Sequence, residues 1–228
     1  THYFACSDLA ANFMFPGKPY TWVRNGIDSA RFAYDAAARE RVRHDLGVGE
    51  HTSVIGFCGG LRPQKNPLFL LQVFERYHAI RPDSMLILVG EGLLRDEIER
   101  RVSEMNLGDC VRLLGQRSDV AELYQAMDAF VLPSVAEGLG IVYIEAQCAG
   151  LPCIGSDGAV PESVRVCDLM HFERLEKGPD AWATLLNDIL EHASERKSHA
   201  ADVRSAGYEM SDVAMQLQEL YMRNASRS

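Results

Sequence analysis

Residues 53–92 read SVIGFCGGLRPQKNPLFLLQVFERYHAIRPDSMLILVGEG, and this stretch decides the fold. Ser53–Cys58 is a short run of apolar residues, which predicts a strand buried on both faces. The loop Gly59 to Asn66 follows, and Pro67 is suited to open a helix because its missing N–H is one the first turn leaves unpaired anyway. Leu70, Leu71, Val73 and Phe74 then recur at helical spacing, predicting a helix over 68–80. A second apolar run, Met85–Val89, ends at Gly90-Glu91-Gly92. Strand, crossover helix and strand in this order make a parallel βαβ unit.

The pattern continues toward the C-terminus. A helix is expected over 95–105, a strand over 111–114 closed by Gly115, and a helix capped by Ser118 and running to Met127. A fourth strand is expected over 129–132 before Pro133, a helix over 141–149, and a fifth strand around Cys153-Ile154. Five such alternations predict an α/β domain, a Rossmann-like doubly wound parallel sheet from about 50 to about 175, with a helical C-terminal extension from 178.

Two pieces fit this unit poorly. Residues 1–24 hold a helical run (Leu9, Phe13, Met14), a short strand Thr21-Trp22-Val23, and then the turn Asn25-Gly26-Ile27-Asp28. At the other end Met210, Val213, Leu217 and Leu220/Tyr221 form an apolar stripe on a final helix. Either these pieces pack against something outside the domain or they complete its own core; the pattern leaves both open.

Composition narrows the function classes. The 228 residues carry a net charge of −9, and the isoelectric point is near 5.3. Nucleic-acid binders neutralise phosphates with clustered Lys and Arg, so a nucleic-acid partner is not expected. No run of about 18 apolar residues is present, so no transmembrane segment is expected. The start, THYFAC, lacks the charged and apolar regions of a signal peptide and reads as a cut inside a longer chain. The six cysteines form no C-x-x-C pair and read as small buried hydrophobes of a reducing compartment. None of the seven histidines lies near a cysteine pair, so no zinc ligand set is expected.

Ligands of doubly wound sheets bind beyond the carboxyl ends of the strands. The loops there are 59–66, 90–92, 115–119 and 133–140, and each contains glycine. Gly59 and Gly60 let a phosphate approach the backbone, and Arg62 and Lys65 add two cations to the same rim. Gly138, Leu139, Gly140 and Ile141 open a helix whose free amides and dipole suit a phosphate or a sugar hydroxyl. Glu137 and Glu145 lie eight residues apart around that helix start. Glu145 is placed to accept hydrogen bonds from a diol such as ribose, or to serve as a helix-surface carboxylate.

The stretch EGLGIVYIEAQCAGLP (137–152) resembles the E-x7-E motif of the retaining GT-B glycosyltransferases of family 4. GGLRPQKNP (59–67) resembles their G-R-L-x-x-x-K-N loop, and LVGEGLLRDEI (88–98) their V-G-x-G stretch. DAFVLPS (128–134), GLPCIGSD (150–157) and NGID (25–28) are similar to further family segments. The resemblance covers nearly the whole chain and is closest to bacterial capsular and exopolysaccharide members. It implies the C-terminal, donor-binding half of a GT-B fold, in which two Rossmann-like domains face each other across a cleft. Residues 1–28 would then be a remnant of the N-terminal domain with the interdomain linker, residues 29–209 the nucleotide-sugar-binding domain, and residues 210–228 the helix and tail that cross back.

The resemblance further implies transfer of a hexose-type sugar from a UDP- or GDP-sugar to an acceptor hydroxyl with retention, in polysaccharide or glycoconjugate biosynthesis. This half alone would be inactive. Glu137 would hold donor-sugar hydroxyls, aided by the amides of Gly138, Leu139, Gly140 and Ile141. Glu145 would hold the ribose, Lys65 would pair with the diphosphate, and Gly59, Gly90 and Arg117 would line the nucleotide. One position departs from the pattern: the family's loop arginine falls on Gly60. A guanidinium grips phosphate as a fork that glycine cannot replace. Either Arg62, two positions on, takes that place, or Lys65 and the helix dipole carry the phosphate alone. The departure also admits a non-catalytic nucleotide-binding or scaffold module of the same fold.

No D-x-D pair occurs in the chain, the arrangement by which other glycosyltransferases hold a divalent cation on the diphosphate. No metal and no cofactor are therefore expected; the nucleotide-sugar is a substrate. The first loop reads G-x-x-G-G from Gly56, not G-x-G-x-x-G, which argues against a dinucleotide oxidoreductase. Tyr124, Phe130 and Tyr143 are expected in the core rather than in a sugar-stacking platform. The expected location is cytoplasmic, peripheral at the inner membrane face.

Overall fold

A computed structural model describes residues 2–225 of the chain. Its strands are β1 (Phe4–Ala5), β2 (Thr21–Trp22), β3 (Ser53–Cys58), β4 (Ser84–Val89), β5 (Val111–Gly115), β6 (Ala129–Leu132), β7 (Cys153–Ser156) and β8 (Met170–Glu173). Its helices are α1 (Asp8–Met14), α2 (Ser29–Phe32), α3 (Ala36–Asp45), α4 (Pro67–Ile80), α5 (Arg95–Glu104), α6 (Val120–Ala126), α7 (Ile141–Cys148), α8 (Gly178–Glu191), α9 (Ala200–Ser205) and α10 (Met210–Ala225).

Six strands form one sheet in the order β5-β4-β3-β6-β7-β8, and every neighbouring pair runs parallel. Chain order reverses between β3 and β6, so the crevice above those two strands is the topological switch point. Helices α4, α5 and α8 pack together on one face, and α2, α3, α6, α7 and α9 on the other. This is the Rossmann-like α/β fold expected from the alternating pattern. The central strands β4 and β6 are buried at every residue, because helices cover both faces and no side chain has a wet side to occupy. Tyr124, Phe130 and Tyr143 are fully buried and meet edge to face, with ring centroids 5.8 and 5.7 Å apart. They belong to the core, as expected.

The amino ends of the switch strands are tied by charge. Asp128 accepts from the Val54 amide at 2.7 Å and pairs with Arg39 and with Arg43. Arg196 is half-buried beside them and donates to the carbonyls of Tyr124, Gln125, Met127 and Ala149, closing the C-terminal ends of α6 and α7.

Three features differ from the sequence reading. The sheet has a sixth strand, β8; its four residues, Met170-His171-Phe172-Glu173, carry two ionisable side chains and its last three are only half-buried, so it lacks an apolar run that would mark it. Helix α6 starts at Val120 behind Asp119, with no side-chain cap. Arg117 takes both Asp119 oxygens, at 2.8 and 2.5 Å, and the Ser118 carbonyl accepts from Arg31. Helices α2 and α3 precede the sheet, each with an aspartate cap: Asp28 accepts from the Arg31 amide and Asp35 from those of Ala37 and Ala38.

The two ends meet. Ile27 donates to the Tyr208 carbonyl at 2.8 Å and accepts from the Met210 amide at 2.9 Å. The segment leading into the domain therefore lies beside the start of α10. Of the stripe on α10, Val213 is buried, Leu217 and Leu220 are half-buried and Met210 and Tyr221 are exposed; Met215 and Met222 on α10 are exposed too, as are Leu9, Phe13 and Met14 on α1. Neither helix completes the sheet's core. Among the described residues no helix is long and apolar enough to cross a membrane.

Candidate functional site

The loops that follow the two switch strands carry opposite charges and bond to each other. Lys65, at the end of the loop after β3, places Nζ 2.6 Å from Glu137 Oε1, in the loop after β6. The Val135 amide donates to the Gln64 carbonyl at 2.8 Å, and Gln64 Nε2 donates to the Ala136 carbonyl at 2.8 Å. Ser134 Oγ donates to the same Glu137 oxygen at 2.5 Å. The Glu137 carboxylate is thus nearly enclosed, with its side chain 6% exposed. Its Oε2 makes no hydrogen bond among the described residues and remains available to a ligand hydroxyl.

Glu137 leads directly into α7. Gly140, the residue before the helix, has φ +83°, a conformation costly for any residue with a Cβ, and a Cβ there would lie 2.8 Å from the Tyr143 ring. The turn it makes directs the free amides of the first helical turn toward the crevice. Gly138 is exposed, while Leu139 is buried and Ile141 half-buried. Leu139, its side chain buried, can offer a ligand its backbone only. Ser7, from the N-terminal segment, donates to the Gly138 carbonyl and so braces this turn.

Glu145 lies one turn further along α7 and is half-buried. Tyr124 Oη donates to its Oε2 at 3.0 Å. Burial raises its carboxyl above the usual value, against the opposing pull of the Tyr124 hydrogen bond and the Arg31 guanidinium. Cys58, the last residue of β3, shares this pocket. Burial and the nearby Glu145 push its thiol up to about 11. Tyr124 is held protonated, well above its ordinary value, chiefly by burial. One ionisable cluster thus joins Cys58, Lys65, Tyr124 and Glu145 at the carboxyl ends of β3 and β6.

Arg62 is exposed and makes no ion pair among the described residues. Its side chain folds across Gly60, so that a Cβ on that glycine would lie 3.4 Å from Arg62 Nε. The Arg62 guanidinium side chain therefore lies against the position where the family pattern has its arginine. Gly59 and Gly90 meet where β3 and β4 end: Gly90 has φ +137°, and a Cβ on it would lie 2.0 Å from the Gly59 carbonyl oxygen. The floor of the crevice is glycine backbone at its closest approach. Arg117 sits on the third loop, exposed and engaged by Asp119, away from the Lys65–Glu137 pair.

The residues that pattern reading missed are Ser134, Tyr124, Arg31 and Ser7. Ser134 lies three positions before Glu137, a spacing that signals a shared turn. The other three arrive from separate elements and have no local signal.

A sequence profile of glycosyl transferases group 1 matches residues 52–192, more than half of the chain. The chain belongs to that family. It is 36% identical over 138 residues to an Escherichia coli UDP-Gal:α-D-GlcNAc-diphosphoundecaprenol α-1,3-galactosyltransferase, covering 59% of this chain and 36% of the relative. It is 34% identical over 219 residues to the D-inositol 3-phosphate glycosyltransferase of Corynebacterium urealyticum, covering 87% of this chain and 50% of the relative. The chain therefore spans half or less of the length of these curated relatives. Among solved structures, Anabaena HepE in complex with UDP and glucose superposes with a TM-score of 0.82 at 21% identity, covering 97% of this chain and 62% of that one. At that identity the likeness is one of fold, and the fold is that of GT-B glycosyltransferases.

Proposed function

We propose that this chain is the donor-binding half of a glycosyltransferase that moves a hexose-type sugar from a UDP- or GDP-sugar to an acceptor hydroxyl with retention. The observation that carries the reading is the Lys65–Glu137 pair across the switch-point crevice, with Arg62 over Gly60 on one side and Glu145 on the other. The diphosphate would lie between Arg62, Lys65 and the first amides of α7. The glycosidic C–O bond breaks as the acceptor oxygen bonds to the same carbon; the nucleoside diphosphate departs with the electron pair, and its leaving oxygen takes the proton of the acceptor hydroxyl. Arg62, Lys65 and the helix dipole neutralise that growing charge without a metal ion.

Glu137 would turn its free Oε2 to a sugar hydroxyl, and Glu145 would accept from the ribose diol. Gly59 and Gly90 would let the nucleotide rest on backbone, with Arg117 at the outer rim. Residues 1–28 and 210–228 would belong to the junction with a preceding acceptor domain, a reading supported by the apolar faces that α1 and α10 leave exposed. Separated from that domain, the donor half would bind but not transfer. The setting we assign is polysaccharide or glycoconjugate assembly at the cytoplasmic face of the inner membrane.

A thermal-shift screen with UDP, GDP, their sugar conjugates and NAD tests this reading. Stabilisation by UDP or GDP and their conjugates, with none by NAD, is the expected result. A chain that no nucleotide stabilises would instead be a scaffold module of this fold.

A further inference from the structure

At the amino ends of the strands, beside edge strand β8 and opposite the end that carries the donor crevice, the fold brings together three side chains with metal-ligand chemistry. Cys167 and Asp168 lie just before β8, and His199 immediately precedes α9. The Cys167 thiol, one Asp168 carboxylate oxygen and one His199 ring nitrogen all lie within 4.8 Å of one another. More than thirty residues separate His199 from the other two, so no short-spacing motif announces the group.

The surroundings hold these side chains in place. His199 is buried; its Nδ1 lies 2.7 Å from Asp202 Oδ2, and its amide donates to the Cys148 carbonyl at 3.1 Å. In the tautomer that carries its proton on Nδ1, toward Asp202, the Nε2 lone pair is free to bind a cation. A carboxylate on the far nitrogen is the usual partner of a metal-bound histidine, because it fixes the ring and raises its basicity. The buried Gln147 does the same for the loop: its Nε2 donates to the Tyr143 and Val164 carbonyls, and its Oε1 accepts from the Val166 and Cys167 amides. The Asp168 carboxylate makes no hydrogen bond or ion pair among the described residues. Asp168 and His199 line a cavity of about 560 Å³, which His171 and His192 also line.

We propose that Cys167, Asp168 and His199 form a binding site for a borderline divalent cation of the zinc class, with the fourth position open to the cavity. One sulfur, one nitrogen and one oxygen suit such an ion better than magnesium or calcium, which take oxygen alone. Ligand atoms around a tetrahedral zinc lie about 3.5 Å apart, so small side-chain movements close the site. On binding, the Cys167 thiol gives its proton to solvent and the thiolate joins the metal. The ion ties the start of edge strand β8 to the segment entering α9. Both lie at the amino ends of the strands, so the ion acts on stability and leaves the donor crevice alone.

The test uses the full chain, stripped with a chelator and then titrated with zinc, and separately with cobalt as a spectroscopic substitute. The expected result is one ion per chain with micromolar or tighter affinity, a raised Tm, a thiolate-to-cobalt charge-transfer absorption, and unchanged UDP affinity. Asp168 is exposed, so Asp168→Asn folds normally, and it should weaken zinc binding about 10- to 100-fold. Cys167→Ser should abolish the charge-transfer band, whereas Cys110→Ser should leave it intact. Absence of zinc binding, or binding of equal strength in Asp168→Asn and Cys167→Ser, would overturn the assignment.

Discussion

The Tyr124 hydroxyl, on a ring with no exposed surface, supports the Glu145 carboxylate from below at 3.0 Å. Burial raises the Glu145 pKa while this hydrogen bond lowers it. The carboxylate is consequently poised: costly to ionise in the free protein, and stabilised once ligand hydroxyls donate to it.

The pH dependence follows from that balance. A carboxyl whose folded pKa is raised contributes stability that is complete below its unfolded value and is lost as pH rises through the folded value. Binding has the opposite sign, because a ribose diol needs the ionised acceptor. Nucleotide affinity should rise with pH through a midpoint above the ordinary glutamate value of 4.5. Calorimetry across that range should show protons released on binding, and Glu145→Gln should remove the dependence.

Tyr124→Phe keeps the buried ring and removes only the hydroxyl. A hydrogen bond to a charged group contributes about 1.5–3 kcal/mol, so UDP affinity should fall about 10- to 100-fold by titration. The midpoint of the pH profile should move further up. A variant with wild-type affinity and midpoint would mean that the hydroxyl does not support the carboxylate.

Lys65 and Glu137 can be separated by ligand. Lys65→Met removes the cation proposed to meet the diphosphate and leaves a nearly enclosed carboxylate with Ser134 as its remaining partner. Affinity for UDP and for its sugar conjugate should fall together, with a lower Tm. Glu137→Gln frees the Lys65 amine, so UDP alone should bind as well as before or better, while the advantage of the sugar conjugate disappears. Parallel losses for both ligands in Glu137→Gln would argue against a sugar-facing Glu137.

Gly90→Ala tests the floor of the crevice. The added methyl would stand 2.0 Å from the Gly59 carbonyl oxygen at φ +137°, so the ends of β3 and β4 must part. A destabilisation of about 3 kcal/mol or more is expected from clash and backbone strain together, read as a lower midpoint in urea. Gly138→Ala, where a Cβ meets nothing within 4 Å, is the control and should be nearly neutral in stability.

Much of this was readable before the structure because the signals are local. Buried parallel strands are continuous apolar runs, so β3, β4, β5 and β6 stand out, and the glycine loops after them mark the rim. β8 lacks that run because His171 and Glu173 interrupt its four residues, and an edge position tolerates them. Lys65, Glu137 and Glu145 were legible because their motifs are contiguous. Their pairing was not, since Lys65 and Glu137 meet through strand order and not through spacing. The same holds for Tyr124 beneath Glu145, for Arg62 lying over Gly60, and for His199 beside Cys167.

The proposed donor site requires Glu145 to face a nucleotide. Titration calorimetry of UDP and GDP into the wild-type chain and into Glu145→Ala addresses it most directly. The wild type should bind one nucleotide per chain, and the variant should lose at least about tenfold in affinity while remaining folded. Equal affinity in the two proteins, or no nucleotide binding by either, would contradict the assignment of this crevice as the donor site.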